Sequence, residues 1–369
     1  MRIKVAYILV MLLSIGPMAR AQERSWEYWR NAEGYLEDQA EELFGLIDRT
    51  LEAHPAEALV AGGRNVKASS PGRTLGKASS AGQSSGKAAS IERQLALAAL
   101  DALVHDTRWD DSAQLHAFLD KRIGRVAEQL EQPCRKRGVE LYKLYNDGFV
   151  VRTRSMTVGF DLCGSRGSVR FIPDSLMRPI IAGCDVLFIS HRDPDHADRR
   201  VVSMAAEMGI PVYGPMDYDN DEVQGLRMED FQARELACAH GKAPLKVQAL
   251  PGHQDDLQNN IYVVTFPEGY TVAHCGDQYR REDLAWLKSV STKLARPLDI
   301  LIIDCWAMEM KATIEGFAPR LVVSGHENEM LHTIDHREAF WLTQYKFDTM
   351  GLDTPSVILC WGEGYRLPR

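Results

Sequence analysis

The feature that most constrains this chain is the stretch 185–198, where a buried-strand pattern runs directly into a cluster of metal-ligand side chains. Residues 186–189 are apolar and partly β-branched, which predicts a strand covered on both faces. Pro194 then fixes its own backbone torsion and biases Asp193 toward an extended conformation, so the next segment is predicted to be a loop. That loop carries four side chains that commonly bind metals: His191, Asp193, Asp195 and His196.

Two imidazoles and two carboxylates at the end of a buried strand need a compensating charge, because buried acids are costly without partners. A cation would supply that charge. The alternative is a solvated loop in which the acids pair with nearby arginines, namely Arg192, Arg199 and Arg200. The remainder of the chain favours the cation.

The motif His191-Arg-Asp193-Pro-Asp195-His196 resembles the His-x-His-x-Asp-His signature of the metallo-β-lactamase-fold superfamily, with aspartate in place of the second histidine. Three further residues match later ligands of that family, in the family's order and each after an apolar run: His253, Asp277 and His326. The resemblance covers roughly residues 137–369, and four motifs in order make it specific.

The resemblance implies a dinuclear metal centre, with each ligand matched by its position in the family pattern. His191, Asp193 and His253 would bind the first metal, Asp195, His196 and His326 would bind the second, and Asp277 would bridge them. Two cations about 3.5 to 4 Å apart can share a hydroxide that attacks the scissile bond. Asp195 and Asp277 would then be the catalytic residues that steer the proton of this nucleophile.

The aspartate at position 193 affects which metal is expected. A carboxylate in place of a neutral imidazole makes the site more negative and richer in oxygen, which shifts preference from zinc toward iron or manganese. Two divalent metal ions are expected, with zinc as the first candidate and iron or manganese as alternatives. Carboxylate at this position also resembles the flavodiiron branch, although the sequence shows no phosphate loop for flavin.

The N-terminus has the pattern of a secretory signal peptide at residues 1–21. A charged start with Arg2 and Lys4 precedes an apolar run, and Ala19-Arg-Ala21 is a cleavage site of the A-x-A type. Cleavage after Ala21 takes the formal charge from −8 to −11. We therefore expect a secreted or periplasmic protein with no membrane span, and this acidic charge does not favour nucleic-acid binding.

The mature chain is predicted to have a helical N-terminal region at 22–135 and a metallo-β-lactamase-like domain at 136–369. Helical apolar spacing appears at 25–51, 91–104 and 112–130, the last with Asp110 and Asp111 as cap candidates. Residues 62–90 are rich in Gly, Ser, Ala and Lys, and cannot bury enough apolar surface to fold. They are predicted to form a flexible loop.

From residue 139 the pattern changes to short strands, first alone and then alternating with helices. The first four runs predict a meander: 140–145, 149–154, 156–161 and 168–172. A hairpin is predicted at 261–274, and the last strand at 357–361. This order indicates an α+β fold with two sheets between helices, in agreement with the αββα sandwich that the resemblance implies.

Other polar residues have weaker signals. His240, His332 and His336 are candidates to contact substrate, although surface or satisfied histidines are as frequent in such positions. Asp161 and Asp304 each end a predicted strand and are candidates to orient ligand histidines. The role of His274 is left open. Seven cysteines without C-x-x-C spacing exclude zinc-ribbon and thioredoxin motifs, and their odd number leaves at least one unpaired within the chain.

The function expected from these observations is a secreted metal-dependent hydrolase acting on a small-molecule substrate through an ester, lactone, amide or phosphodiester bond. Two alternatives remain: a redox di-iron protein of the same fold, and a non-enzymatic binding protein. The oligomeric state and the bond cleaved cannot be read from the sequence.

Overall fold

The computed structural model describes residues 26–56, 91–226 and 231–368. The predicted signal peptide at 1–21 and the low-complexity loop at 62–90 lie outside these residues. The N-terminal region is helical, as predicted, with the helices α1 (Trp26–Ala53), α2 (Ile91–Val104) and α3 (Ala113–Glu131).

The N-terminal cap of α3 is not one of the two predicted aspartates. Ser112 takes this position, and its hydroxyl accepts a hydrogen bond from the amide of Leu115. Asp110 instead accepts two hydrogen bonds from the Arg337 guanidinium, and Asp111 contacts His116. The prediction was wrong because a tertiary salt bridge uses Asp110, while the serine lies one residue before the helix.

Two seven-stranded sheets form the centre of the described structure. The first sheet has the order β16-β1-β2-β3-β6-β7-β8, with the bounds β1 (Val139–Lys143), β2 (Phe149–Arg152), β3 (Thr157–Phe160), β6 (Val186–Phe188), β7 (Val212–Pro215), β8 (Val223–Leu226) and β16 (Glu363–Leu367). The second has the order β15-β14-β13-β12-β11-β10-β9, with the bounds β9 (Arg234–Leu236), β10 (Leu245–Gln254), β11 (Leu257–Thr265), β12 (Thr271–His274), β13 (Ile300–Asp304), β14 (Leu321–Gly325) and β15 (Ser356–Val357).

Each sheet is antiparallel on one side and parallel on the other. The strands β3, β6, β7 and β8 run parallel, as do β12, β13, β14 and β15. Helices form the crossings between these parallel strands, except the short helix-free connection at 216–222 between β7 and β8. The crossing helices are α4 (Asp174–Ala182), α5 (Arg199–Glu207), α6 (Leu284–Leu287), α7 (Met310–Phe317) and α8 (Phe340–Thr349).

The strands alternate between an inner and an outer apolar layer. Val186 and Phe188 belong to the buried cluster between the sheets, together with Tyr262 and Ile302 of the second sheet. Leu187, between them in the sequence, belongs to the cluster shared with the helices. Strands covered on both faces explain the continuous apolar runs. The predicted αββα sandwich with an N-terminal helical segment is confirmed.

Two strand predictions need correction. The run at 168–172 does not join the meander, because Val169–Arg170 (β5) pairs only with Ser165–Arg166 (β4) in a small separate hairpin. The last strand is β16, not 357–361, of which only the first residue is in β15. Strand β16 is half-exposed and contains a glutamate, a glycine and an arginine, so it lacks the apolar run that marks central strands.

The N-terminal helices contact the sandwich through buried polar groups as well as apolar ones. Asp101 on α2 accepts hydrogen bonds from the Phe340 and Trp341 amides at the start of α8. Arg122 on α3 donates to the backbone oxygen of Trp361, and Arg93 on α2 pairs with Glu363. These contacts hold the N-terminal helices against the start of α8 and against β16 with the segment that leads into it.

All seven cysteines lie in the described part of the chain, and none is in a disulfide. Among the described residues, no helix is both long and apolar enough to cross a membrane.

Candidate metal centre

The predicted ligands follow the carboxyl ends of strands from both sheets. His191 comes three residues after β6, Asp277 follows β12, and His326 directly follows β14. Because the carboxyl ends of parallel strands lie at one edge of a sheet, these side chains meet at one edge of the sandwich. His253 lies near the end of β10, beside that edge.

The metal-ligand loop after β6 is a compact turn held by its own backbone. The amides of His196 and Ala197 both donate to the carbonyl oxygen of Asp193, at 2.9 and 2.8 Å. The Asn260 amide of β11 donates to the Ser190 carbonyl at 2.7 Å, which joins this loop to the second sheet. The predicted loop at the end of a strand is therefore present, and the two sheets are linked beside it.

Six of the seven predicted ligands lie within a few ångströms of another. Asp277 is central: its carboxylate oxygens lie 3.8 Å from His191 Nε2, 3.2 Å from His196 Nε2 and 3.5 Å from His326 Nε2. Asp195 Oδ2 lies 3.3 Å from His196 Nε2 and 3.2 Å from His326 Nε2. The Asp277 carboxylate is therefore surrounded by three imidazoles.

Asp193 and His253 lie at the periphery of this cluster. Asp193 Oδ2 is 3.6 Å from His191 Nε2, and its side chain is 38% exposed. His253 Nδ1 lies 3.0 Å from Asp283 Oδ2, and the neighbouring Gln254 donates to Asp277 at 3.1 Å. In the part of the chain that the structure describes, no group of three close ligand atoms includes either residue. Both are more exposed than the other five predicted ligands.

Several buried atoms of the cluster have no hydrogen-bond partner among the described residues. They are His191 Nε2, His196 Nε2 and Asp277 Oδ1. Each histidine uses its other nitrogen: His196 Nδ1 donates to Asp161 at 2.8 Å, and His191 Nδ1 lies 3.0 Å from Ser190 Oγ. Buried polar atoms without partners are costly. Imidazole nitrogens and carboxylate oxygens are also common ligands of divalent metals, so these residues fit the predicted metal ions.

The charges of the cluster reinforce one another. Burial disfavours a charged His326, yet Asp277 and the hydrogen bond with Asp195 outweigh it and raise the pKa of His326 to about 10. Burial likewise opposes ionisation of Asp195, but His196 and His326 hold its pKa well below the usual range. These opposite pKa shifts favour charged imidazoles beside ionised carboxylates, and a cation at this cluster would compete with the imidazole protons.

The other predicted polar residues occupy different places. His240 contacts Asp185, which precedes β6, so it lies at the opposite end of that strand from His191. His332 and His336 lie in the loop after His326, with their rings stacked at 4.9 Å between centroids. His274 is fully buried beneath the cluster. Asp304 is buried, and it accepts a hydrogen bond from the Trp306 amide.

Residues that sequence reasoning did not assign to the site also contact it. Asn146 donates to Asp195 Oδ2 at 3.0 Å, and its backbone oxygen accepts from the His326 amide. Asp147 shares a group of close ligand atoms with His196 and Asp277. The sequence marks this Asn-Asp-Gly segment only as a turn, and no local pattern places a turn between β1 and β2 beside the end of β14.

No protein-family model matches this chain, and no curated protein matches it. Solved structures do resemble it. A metallo hydrolase from Ignicoccus hospitalis is 15% identical, covers 63% of this chain and 99% of its own, and has a TM-score of 0.45. A putative zinc-dependent hydrolase of the metallo-β-lactamase superfamily from Thermotoga maritima is 12% identical, and the match covers 56% of this chain and 85% of that protein, with a TM-score of 0.33. The diiron β-hydroxylase CmlA from Streptomyces venezuelae is 13% identical, and the match covers 70% of this chain and 63% of that protein, with a TM-score of 0.43.

Proposed function

We propose that this chain is a metal-dependent hydrolase with a dinuclear centre. The observation that carries the proposal is the convergence of His191 Nε2, His196 Nε2 and Asp277 Oδ1, all buried and without hydrogen-bond partners among the described residues. His196 Nε2 and Asp277 Oδ1 are 3.2 Å apart. Without a metal, charged imidazoles must balance these carboxylates, and a cation in the space between the atoms would take over that role.

The proposed ligands follow the sequence assignment. His191, Asp193 and His253 hold one cation, while Asp195, His196 and His326 hold the other, and Asp277 lies between the two sets. When bound, the two cations supply an activated water and a Lewis acid for the scissile oxygen. Either zinc, iron or manganese fits this set of nitrogen and oxygen donors.

The protein's own contribution is to orient donors and to handle a proton. Asn146 donates to Asp195 Oδ2 and Gln254 donates to Asp277 Oδ2. The other oxygen, Asp277 Oδ1, has no hydrogen-bond partner among the described residues and lies 3.2 Å from His196 Nε2. These two carboxylates are proposed to accept and pass on the proton of the attacking water. The substrate is a small molecule that enters on the exposed side, where Asp193 and His253 lie, and the bond cleaved is an ester, lactone, amide or phosphodiester.

We also propose that the enzyme is exported, and two other functions remain as candidates. The N-terminal pattern at 1–21 supports a secreted or periplasmic enzyme. A redox di-iron centre is the second candidate, favoured by the extra carboxylate at Asp193, because oxygen-rich donor sets suit iron. Metal identity separates the two: a stoichiometric iron content with an oxygen-sensitive visible spectrum favours redox chemistry. The third candidate function is that of a binding protein without enzymatic activity.

The activity test uses the mature chain reconstituted separately with zinc, manganese and iron, and assayed on ester, lactone, amide and phosphodiester substrates. We expect hydrolysis of one class by at least one metal form. Asp277→Asn should reduce that hydrolysis at least about 100-fold, because it weakens the central ligand. Asp256→Asn makes the same change at an exposed position in the β10–β11 turn and should retain activity. If no metal form cleaves any of the four classes, the hydrolase proposal fails.

A further inference from the structure

Asp147 is a buried carboxylate in the turn between β1 and β2. Its side chain is almost fully enclosed, with 1% of the residue exposed. Neither of its carboxylate oxygens accepts a hydrogen bond from any residue in the described ranges. Burying a carboxylate costs several kcal/mol unless donors or a cation compensate it, so this position requires a partner.

Asp147 lies against the candidate metal centre, and it also forms a group of close ligand atoms with Asp161 and His274. A carboxylate oxygen of Asp147 lies within 4.8 Å of ligand atoms of His196 and Asp277. His196 Nε2 and Asp277 Oδ1 also have no hydrogen-bond partner in the described structure. Atoms without a hydrogen-bond partner, from one imidazole and two carboxylates, therefore converge from three different strand ends.

The turn that carries Asp147 is fixed against the other ligands. The His326 amide donates to the Asn146 carbonyl at 3.2 Å, and Asn146 adopts a left-handed backbone with φ of 52°. Gly325 makes room for the carboxylate, because a Cβ at that position would overlap Asp147 Oδ1. The carboxylate is thus held in place by the backbone around it.

The neighbouring His274 does not satisfy this carboxylate. The Gly276 amide donates to His274 Nδ1 at 3.2 Å, so the proton of the neutral ring is on Nε2. That proton is directed to the backbone oxygen of Asp147, at 3.1 Å. Asp147 Oδ2 lies 3.3 Å from the same nitrogen but makes no hydrogen bond with it.

We propose that Asp147 is an eighth protein ligand of the metal centre, a carboxylate donor to the cation held by His196 and Asp277. This inference rests on the proposed dinuclear site. It adds a fourth carboxylate to those of Asp193, Asp195 and Asp277, so that four negative charges match two divalent cations. Hard oxygen donors of this kind favour manganese and iron over zinc.

The test compares Asp147→Asn with wild type by calorimetric titration of Mn²⁺ and Zn²⁺, each alone, into metal-depleted protein. Asparagine has the same shape but no charge, so we expect the Kd for Mn²⁺ to rise at least about tenfold. Asp185→Asn is the matched control, since it neutralises another buried acid at the opposite end of β6 and should leave the Kd unchanged.

Thermal unfolding separates a ligand from a structural residue. If Asp147 is a ligand, Asp147→Asn should leave the metal-free midpoint equal or higher, because an unpartnered buried acid is removed, and should reduce the upward shift caused by Mn²⁺. A lower metal-free midpoint with an undiminished Mn²⁺ shift would show a structural role and overturn the inference. Asp147→Ala provides a smaller replacement if the asparagine variant does not fold.

The two proposals can fail separately. Wild-type protein that binds Mn²⁺ or Zn²⁺ with the same Kd as Asp147→Asn would overturn the eighth ligand and leave the metal centre standing. Wild-type protein that binds neither metal would overturn the metal centre and, with it, the role of Asp147.

Discussion

At the scale of single residues, the centre depends on acids that orient imidazoles. Asp161 accepts from His196 Nδ1, and Asp283 lies 3.0 Å from His253 Nδ1, so each ring has its Nε2 available for another partner. Asp161 was a candidate for this role in the sequence, because it ends a strand. Asp283 could not be predicted, since it lies in a short helical turn thirty residues after His253.

Replacing Asp161 tests this orientation. Asp161→Asn should lower metal affinity by about 10- to 100-fold, because the His196 ring loses its charged acceptor. A chelator competition with Zn²⁺ measures the effect, with Asp185→Asn as a control for the loss of a buried charge. Unchanged affinity in Asp161→Asn would show that His196 does not need this acid to bind metal.

At the scale of helices and strands, the spacing of apolar residues predicted most elements, because most elements bury one or both apolar faces against the core. Residues 91–104 form a helix with the predicted bounds, and Phe188 packs between the sheets as a buried-strand pattern requires. The predictions fail where strand pairing or a salt bridge, and not apolar packing, determines the local structure. Strand β16 forms by pairing with β1 and has no apolar run. Asp110 forms a salt bridge with Arg337 and does not cap the helix α3.

Helices α1 and α3 are joined by a buried charge cluster around Asp48. Its carboxylate contacts Arg122, Arg125 and Lys121. Burial opposes its ionisation, but these cations outweigh that effect and lower the pKa of Asp48 to about 2. An acid whose pKa is lower in the folded state contributes its full stability above its unfolded pKa, which is near 3.8 for Asp48. That stability is lost as the pH falls through the folded-state pKa of about 2.

We therefore expect Asp48→Asn to lower the free energy of unfolding by about 2 kcal/mol at pH 7. Urea unfolding at pH 7 and pH 3 measures the change, and the difference from wild type should be smaller at pH 3. Glu207→Gln, which breaks the exposed pair with Arg178, should cost no more than about 1 kcal/mol. An equal loss at both pH values would contradict the electrostatic explanation.

At the scale of the whole molecule, the fold brings together strand ends that are far apart in sequence. His196 and His326 are separated by 130 positions, yet both lie within 3.5 Å of a carboxylate oxygen of Asp277. The family resemblance predicted the order of these candidate ligands along the chain. Residues such as Asn146 and Asp147 could not be predicted, because their position depends on how the first sheet packs against the second.

The metal content of the protein tests the proposed dinuclear centre most directly. The measurement is elemental analysis of the purified mature chain beside an Asp193→His variant. We expect two equivalents of metal in the wild type, and a shift toward zinc in the variant, because an imidazole replaces a hard carboxylate. Less than one equivalent in wild type, with no hydrolysis after reconstitution, would contradict the dinuclear hydrolase.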